Sequence, residues 1–299
     1  MGKLIFIAGG TGFMGRRLIE ALRGEGYKVR CLVRTREKAG VCTALDLDFA
    51  VGDITDRESL RGALEGAGMV VHLVGIIAEK GKQTFKEVHV RGTLNLLDEA
   101  RAAGVGHFFY QSALGADPGS WAAYLRTKAE AEELVRASGL PYTIFRPSLV
   151  VGGDDGFITK IKDMVGSISP VIPLPGEGRA RFQPMYVGDW VGCLLKIIDN
   201  PEAIGKTYEI GGPEHLTYEE IVRLVALSMG SLKPIFHVPP ALVRFSAPLM
   251  GIATSEQIRL LDADNICDPV GVKKNFGFEP LTFKEALRLF IKNRAVPAT

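Results

Sequence analysis

Between residues 3 and 147 short apolar runs alternate with helix-patterned stretches, and this alternation most narrows the folds open to the chain. Residues 3–8 (KLIFIA), 27–33 (YKVRCLV), 48–51, 68–75, 107–111 and 142–145 read as strands. Apolar runs of this length, without polar alternation, suit strands buried on both faces. Residues 13–24, 56–65, 84–103 and 122–137 read as the intervening helices. In the first of these Phe13, Met14, Leu18, Ile19 and Leu22 recur at helical spacing, and Gly24 and Gly26 end it. Strands and helices in strict alternation predict a parallel sheet covered on both faces.

After Val151 the rhythm stops. Residues 152–156 (GGDDG) form a turn cluster, and 170–178 (PVIPLPGEG) read as a loop. Residues 187–198 read as a helix and 207–210 as a strand returning to the sheet, with amphipathic helices at 216–229 and 283–293. A chain of 299 residues suits one large domain or two. The expectation is a doubly wound domain of residues 1–151 plus about 182–212, and a smaller, partly interleaved C-terminal α/β domain of 152–181 plus about 213–299.

The first strand and first helix are joined by GGTGFMG, residues 9–15. A glycine triplet in a strand–turn–helix context points to a dinucleotide-binding turn, and so to a Rossmann-type fold, the alternative being a glycine-rich connection that holds no ligand. Gly9 would permit the tight turn, Gly12 would let a pyrophosphate approach the backbone, and Gly15 would let helix and strand pack closely. The phosphates would sit at the helix N-terminus, where N–H groups point outward. The second strand then ends in Val33-Arg34-Thr35-Arg36, with Lys38 nearby and no carboxylate in the position that commonly holds the ribose hydroxyls of NAD. Arginine can grip a 2′-phosphate through two hydrogen bonds, so NADP(H) is expected over NAD(H). The alternative is a solvated basic loop.

Tyr124 and Lys128 lie four residues apart in a helix-patterned stretch, hence on one face. A neighbouring ammonium favours phenolate and would lower the tyrosine pKa, making it an acid–base group for hydride transfer at a carbonyl. Ser112, twelve residues earlier, follows a strand and could hold the substrate oxygen. The competing reading is an ordinary surface i,i+4 pair.

Thirty-six basic and 34 acidic side chains give a formal charge of +2, which offers no electrostatic footprint for nucleic acid. The four cysteines, Cys31, Cys42, Cys193 and Cys267, form no CxxC pair and read as reduced structural thiols, with no metal site expected. No apolar run is long enough to span a membrane and no signal-peptide pattern is present, so a cytoplasmic location is expected. The apolar, proline-broken stretch 237–253 has three open readings: core helices, a cleft wall, or a surface for peripheral membrane or partner contact.

Together GGTGFMG, Asp53 in VGDITD, Ser112 and YLRTK resemble the short-chain dehydrogenase/reductase superfamily, in its extended and atypical branches. FRPSLVVG (145–152), FQPMYVGDW (182–190) and YEIGGPEHLTYEEI (208–221) extend the likeness, and SEQIRLLDADNICDP (255–269) narrows it to the group containing the NADPH-holding accessory subunit of respiratory complex I. The resemblance implies residue roles. Gly9, Thr11, Gly12, Phe13, Met14 and Gly15 would surround the pyrophosphate, and Arg34 would meet the 2′-phosphate. Asp53 and Ile54 would border the adenine, and Leu73, Val74 and Gly75 the adenine ribose. Lys128 would hold the nicotinamide ribose, with Pro147, Ser148 and Leu149 at the nicotinamide end. Ser112, Tyr124 and Lys128 would be catalytic. One departure is His89, which stands where many extended members carry asparagine three residues before GTxNL.

Three functions fit these residues. The first is an NADP-dependent oxidoreductase acting on a small-molecule carbonyl substrate. The second is an NADPH-holding protein attached to an electron-transfer partner without turnover. The third is a nucleotide-sugar epimerase or dehydratase, for which Arg179 and Arg181 could meet a diphosphate.

Overall fold

The strands of the first half end at, or within two residues of, the candidate site residues. In a computed structural model, residues 3–40, 42, 47–239, 242 and 255–291 are described. The chain runs β1 (Leu4–Ala8), α1 (Phe13–Gly24), β2 (Lys28–Val33), β3 (Asp48–Val51), β4 (Met69–His72), α2 (Gly92–Ala102), β5 (His107–Gln111), α3 (Ala123–Ala137) and β6 (Tyr142–Pro147). It continues through β7 (Val150–Val151), α4 (Gly156–Gly166), β8 (Ile172–Pro175), β9 (Arg181–Phe182), β10 (Met185–Tyr186), α5 (Val187–Leu195) and β11 (Lys206–Ile210). The last elements are β12 (Leu216–Thr217), α6 (Tyr218–Ser228), β13 (Ile235–Val238), α7 (Ser255–Leu260), α8 (Gly271–Phe276) and α9 (Phe283–Phe290).

Two compact units result, Met1–Pro147 with Val191–Glu209, and Ser148–Trp190 with Ile210–Thr299. The first is built on a seven-stranded sheet of order β11-β6-β5-β4-β1-β2-β3. The pairings β1·β2, β1·β4, β2·β3, β4·β5 and β5·β6 are parallel. This is the Rossmann-type arrangement expected from the strand–helix alternation. Phe6, Val70, Phe108, Tyr110 and Ile144 turn to one face of the sheet and pack against Leu96, Leu97 and Ala100 of α2 and Ala131 and Val135 of α3. Ile5, Ile7 and Cys31 alternate with them and are fully buried on the other face.

The second unit packs Ile158, Ile161 and Val165 of α4 with Ile172 and Leu174 of β8, Ile221, Val222 and Val225 of α6, and Phe283 and Leu287 of α9. Reciprocal capping boxes start two of its helices, Thr217 with Glu220 and Thr282 with Glu285.

Two expectations fail. Residues 56–65 form no α-helix, only a 3₁₀ turn at Glu58–Leu60, because Ser59 bonds back to the carbonyls of Asp53 and Asp56 and Gly62 sits at φ 73°. Residues 170–178 are not all loop. Ile172–Pro175 pairs with β13, and Ile172 and Gly176 donate to Pro234 and Val238 while Pro173 and Pro175 occupy the alternate positions. A strand paired on one side can place prolines where no N–H is needed. Of the stretch 237–253, His237 and Val238 belong to β13; residues 240–241 and 243–253 lie outside the described residues.

Candidate functional site

Strand order reverses between β1 and β4, with β2 beside β1 and β5 beside β4. Ligands of open parallel sheets bind beyond the carboxyl ends of the strands at such a reversal. In the first unit the marked residues collect at these ends: Gly9–Gly15 after β1, Arg34 after β2, Asp53 after β3, Leu73–Gly75 after β4, Ser112 after β5, and Pro147 closing β6.

The glycines differ in what requires them. Gly9 has φ 96°, and a Cβ there would lie 3.1 Å from the Leu73 carbonyl carbon and the Val74 nitrogen. At Gly15 a Cβ would run into the Gly9 carbonyl oxygen and lie 2.6 Å from the Gly10 Cα. Gly12 is exposed, has φ −77° and ψ 177°, and a Cβ there would meet only the Gly9 oxygen, at 3.3 Å. Gly9 and Gly15 are therefore needed by the fold. Gly12 leaves open the space a side chain would fill, beside an α1 N-terminus with neither a side-chain cap nor an acid in its first turn. An anionic pyrophosphate fits that cradle. Thr11, Phe13 and Met14 are half-buried around it.

Arg34, Thr35 and Arg36 are exposed at the end of β2. Asp53 turns Oδ1 onto the Thr55 N–H and hydroxyl, at 2.9 and 2.8 Å. Ile54 is buried, and its carbonyl accepts from Asn95 Nδ2 at 2.7 Å, which ties the β3 loop to α2.

Tyr124 and Lys128 share one face of α3, where Lys128 is buried. Its Nζ donates to the Gln111 carbonyl at 2.8 Å and stands 5.1 Å above the Tyr110 ring. A Cβ on Gly75 would come within 3.2 Å of that Nζ. The segment Leu73–Gly75 thus touches the glycine turn at one end and the lysine at the other. Burial lowers the lysine pKa to about 8, partly offset by the charge of Glu132. Tyr124 is half-buried, edge-on to Phe85 and His89 with centroids 5.9 and 5.6 Å away. Burial pushes the Tyr124 phenol up to about 12, the reverse of the expected lowering by Lys128. Such a phenol is protonated at neutral pH and is a proton donor.

His89 lies in a π-helical segment, Lys86–Arg91, that leads into α2. Its Nδ1 is 2.9 Å from the Thr127 hydroxyl, and its Nε2 is 3.1 Å from both the N–H and the carbonyl oxygen of Ile76. Burial and Lys128 lower the His89 pKa to about 3, so the ring is neutral. It fastens the loop after β4 to α3 and forms one wall of Tyr124.

Ser112 is buried, and its hydroxyl donates to Glu132 Oε1 at 2.5 Å. Its one proton is committed, so toward any other group it offers only lone pairs. Glu132 was not singled out in the sequence, although Tyr124, Lys128 and Glu132 are spaced by four on one helix. Arg146, which binds both of its oxygens, carried no sequence signal. In the second unit Ser148 donates to the Asn265 carbonyl at 2.7 Å and accepts from the Gln183 N–H at 3.1 Å, while the Leu149 carbonyl accepts from Met185. Ser148 is thus engaged inside its own unit.

Residues 5–211 match the NAD dependent epimerase/dehydratase family. NADH dehydrogenase [ubiquinone] 1 alpha subcomplex subunit 9, mitochondrial, of Arabidopsis thaliana is 31% identical over 232 residues, covering 75% of this chain and 57% of that protein. Sterol demethylase protein B of Methylococcus capsulatus is 30% identical over 266 residues, covering 80% of this chain and 78% of that protein. The chain therefore spans little more than half the length of the first of these relatives. The crystal structure of the Thermotoga maritima UDP-glucose 4-epimerase with UDP-glucose superposes with a TM-score of 0.75 at 21% identity, covering 96% of this chain and 97% of that one, a likeness of fold. No described helix is long and apolar enough to cross a membrane.

Proposed function

The chain belongs to the NAD dependent epimerase/dehydratase family, and on that premise we propose that it is an NADP(H)-dependent oxidoreductase acting on a carbonyl substrate. The observation that carries the reading is the Leu73–Gly75 segment, which abuts both the Gly9 bend and the Lys128 ammonium. It joins an anion cradle to a tyrosine–lysine pair within one unit.

A nicotinamide coenzyme supplies hydride at the substrate carbon. The Gly12–Gly15 backbone would hold its pyrophosphate, Arg34 its 2′-phosphate, and Lys128 its nicotinamide ribose. Tyr124, protonated at neutral pH, gives its proton to the oxygen of the reduced carbonyl. Ser112 cannot donate to that oxygen while Glu132 holds its proton, so Tyr124 is the proton source.

A second reading is supported by the likeness to the mitochondrial subunit: a protein that holds NADPH and docks on an electron-transfer assembly without turnover. The nucleotide-sugar reading is weakened by the arginines that would serve it. Arg181 is bound to Asp264 through Nε and Nη2 at 2.9 and 2.5 Å, and Arg179 stands 3.3 Å from Glu177.

The test is NADPH oxidation by the parent and Tyr124→Phe over a panel of aliphatic and aromatic ketones and aldehydes. Loss of a general acid predicts a fall in kcat of about 10²- to 10⁴-fold with coenzyme affinity retained. Equal rates, or no turnover by the parent despite NADPH binding, would leave the second reading.

A further inference from the structure

We infer that Glu132 is a positioning residue of this site, a buried carboxylate that fixes the proton of Ser112 and places a negative charge one helical turn from Lys128. The inference rests on the proposed function for the meaning of Ser112 and Lys128, and on geometry for the rest.

Helix α3 carries Tyr124, Lys128 and Glu132 at successive four-residue steps, which stacks them along one face. Glu132 is fully buried. Its Oε1 accepts from Ser112 at 2.5 Å and from Arg146 Nε at 2.8 Å. Its Oε2 accepts from Arg146 Nη2 at 2.7 Å and Arg136 Nη2 at 2.6 Å. Both arginines have other carboxylates, Glu209 and Glu133, on their exposed sides. The carboxylate is thus held ionised from four directions, and the only neutral donor among its partners is Ser112.

Ion pairing alone does not account for the arrangement. A buried ion pair contributes little net stability compared with apolar packing. This one spends an oxygen on a serine at the mouth of β5 and lies one turn from a buried lysine. Lys128 acts in turn on His72 and His89, which burial and its charge lower to about 3 each, so both are neutral. The Tyr110 ring beneath it and Tyr124 one turn earlier are un-ionised phenols. Glu132 opposes the burial that would otherwise discharge the lysine. A lysine meant to hold ribose hydroxyls as a donor needs that charge at working pH.

The test follows the titration of Lys128 in the full chain by NMR of ¹³Cε-labelled lysine, the signal assigned through Lys128→Arg. No coenzyme is needed for this arm. In Glu132→Gln the midpoint should move to lower pH by about one unit, tenfold in proton affinity. Glu132→Asp should restore it, and Ser112→Ala should leave it near the parental value. NADPH affinity at neutral-to-alkaline pH, read by fluorescence titration, should fall with the charged fraction of Lys128.

If Glu132→Gln does not fold, Glu132→Leu with Arg146→Met removes the carboxylate and the arginine that binds both its oxygens, while Arg136 keeps Glu133, and reads the same midpoint. An unmoved midpoint in either folded variant overturns the inference, and so does failure of both to fold, which would make Glu132 structural. A parent that binds no NADPH would defeat the proposed function while the Lys128 titration remained readable.

Discussion

Gly12→Ala and Gly15→Ala, two methyl groups three residues apart, should separate coenzyme binding from folding. At Gly15 the added carbon would sit 2.6 Å from the Gly10 Cα, about 1 Å inside ordinary contact, against backbone that cannot rotate away. Overpacking of this kind costs about 1–3 kcal/mol, and about 1 kcal/mol returns through the better helix propensity of alanine. At Gly12 the only close neighbour is the Gly9 oxygen, 3.3 Å away, which must yield by a few tenths of an ångström, and φ −77° suits alanine. The cost there is about 1 kcal/mol or less. Calorimetry should therefore show Gly15→Ala melting several degrees below the parent and Gly12→Ala close to it. NADPH titration should show the opposite order of interest: Gly12→Ala folded, yet weakened by about tenfold to a hundredfold through loss of one or two charge-assisted hydrogen bonds. Gly12→Val should bind still less. A Gly12→Ala protein with parental affinity would refute the reasoning that open space before α1 is a phosphate cradle.

Other consequences can be checked alongside. Lys128→Met should stabilise the ligand-free protein near pH 7, because a fall of the lysine pKa from 10.5 to about 8 represents about 3 kcal/mol spent on keeping a buried ammonium. The sign is fixed by linkage: the unfolded chain binds the extra proton between about pH 8 and 10.5, so parental stability should climb through that window and the Lys128→Met advantage should shrink. Denaturant melts at several pH values read this directly. Acid should act in the same sense through His72, His89 and His107, whose folded pKa values near 3, 3 and 4 lie below the ordinary 6.5; stability should drop as pH falls below 6.5. Arg34→Ser should weaken NADPH about tenfold to a hundredfold and leave NADH affinity unchanged, by competitive fluorescence titration. Equal losses for both coenzymes would remove Arg34 from the 2′-phosphate site.

How legible each part was follows from how local its cause is. The strands of the first unit were readable because strands covered on both faces need continuous apolar runs, and these alternate with helix-patterned stretches. The glycine turn was readable because the φ 96° bend at Gly9 and the methyl-free contact at Gly15 are demands of a single connection, written in seven consecutive residues. The Tyr124–Lys128 spacing was readable for the same reason, one turn of one helix. Residues 56–65 misled because side-chain bonds from Ser59 competed with the helix pattern, and 170–178 because prolines hide in a strand that needs only alternate N–H groups.

The amino-acid sequence by itself determined the layered α/β architecture, the bare turn at the start of α1 and the tyrosine–lysine pair. Only the tertiary structure decided that Leu73–Gly75 connects those two features, that Tyr124 is raised by burial where its lysine neighbour promised a lowering, and that the Ser112 proton belongs to Glu132 under Arg146 and Arg136. Periodicity encodes which face of an element is apolar. The field at a buried atom comes from groups that meet across strands and helices far apart in the chain, and no local pattern records them.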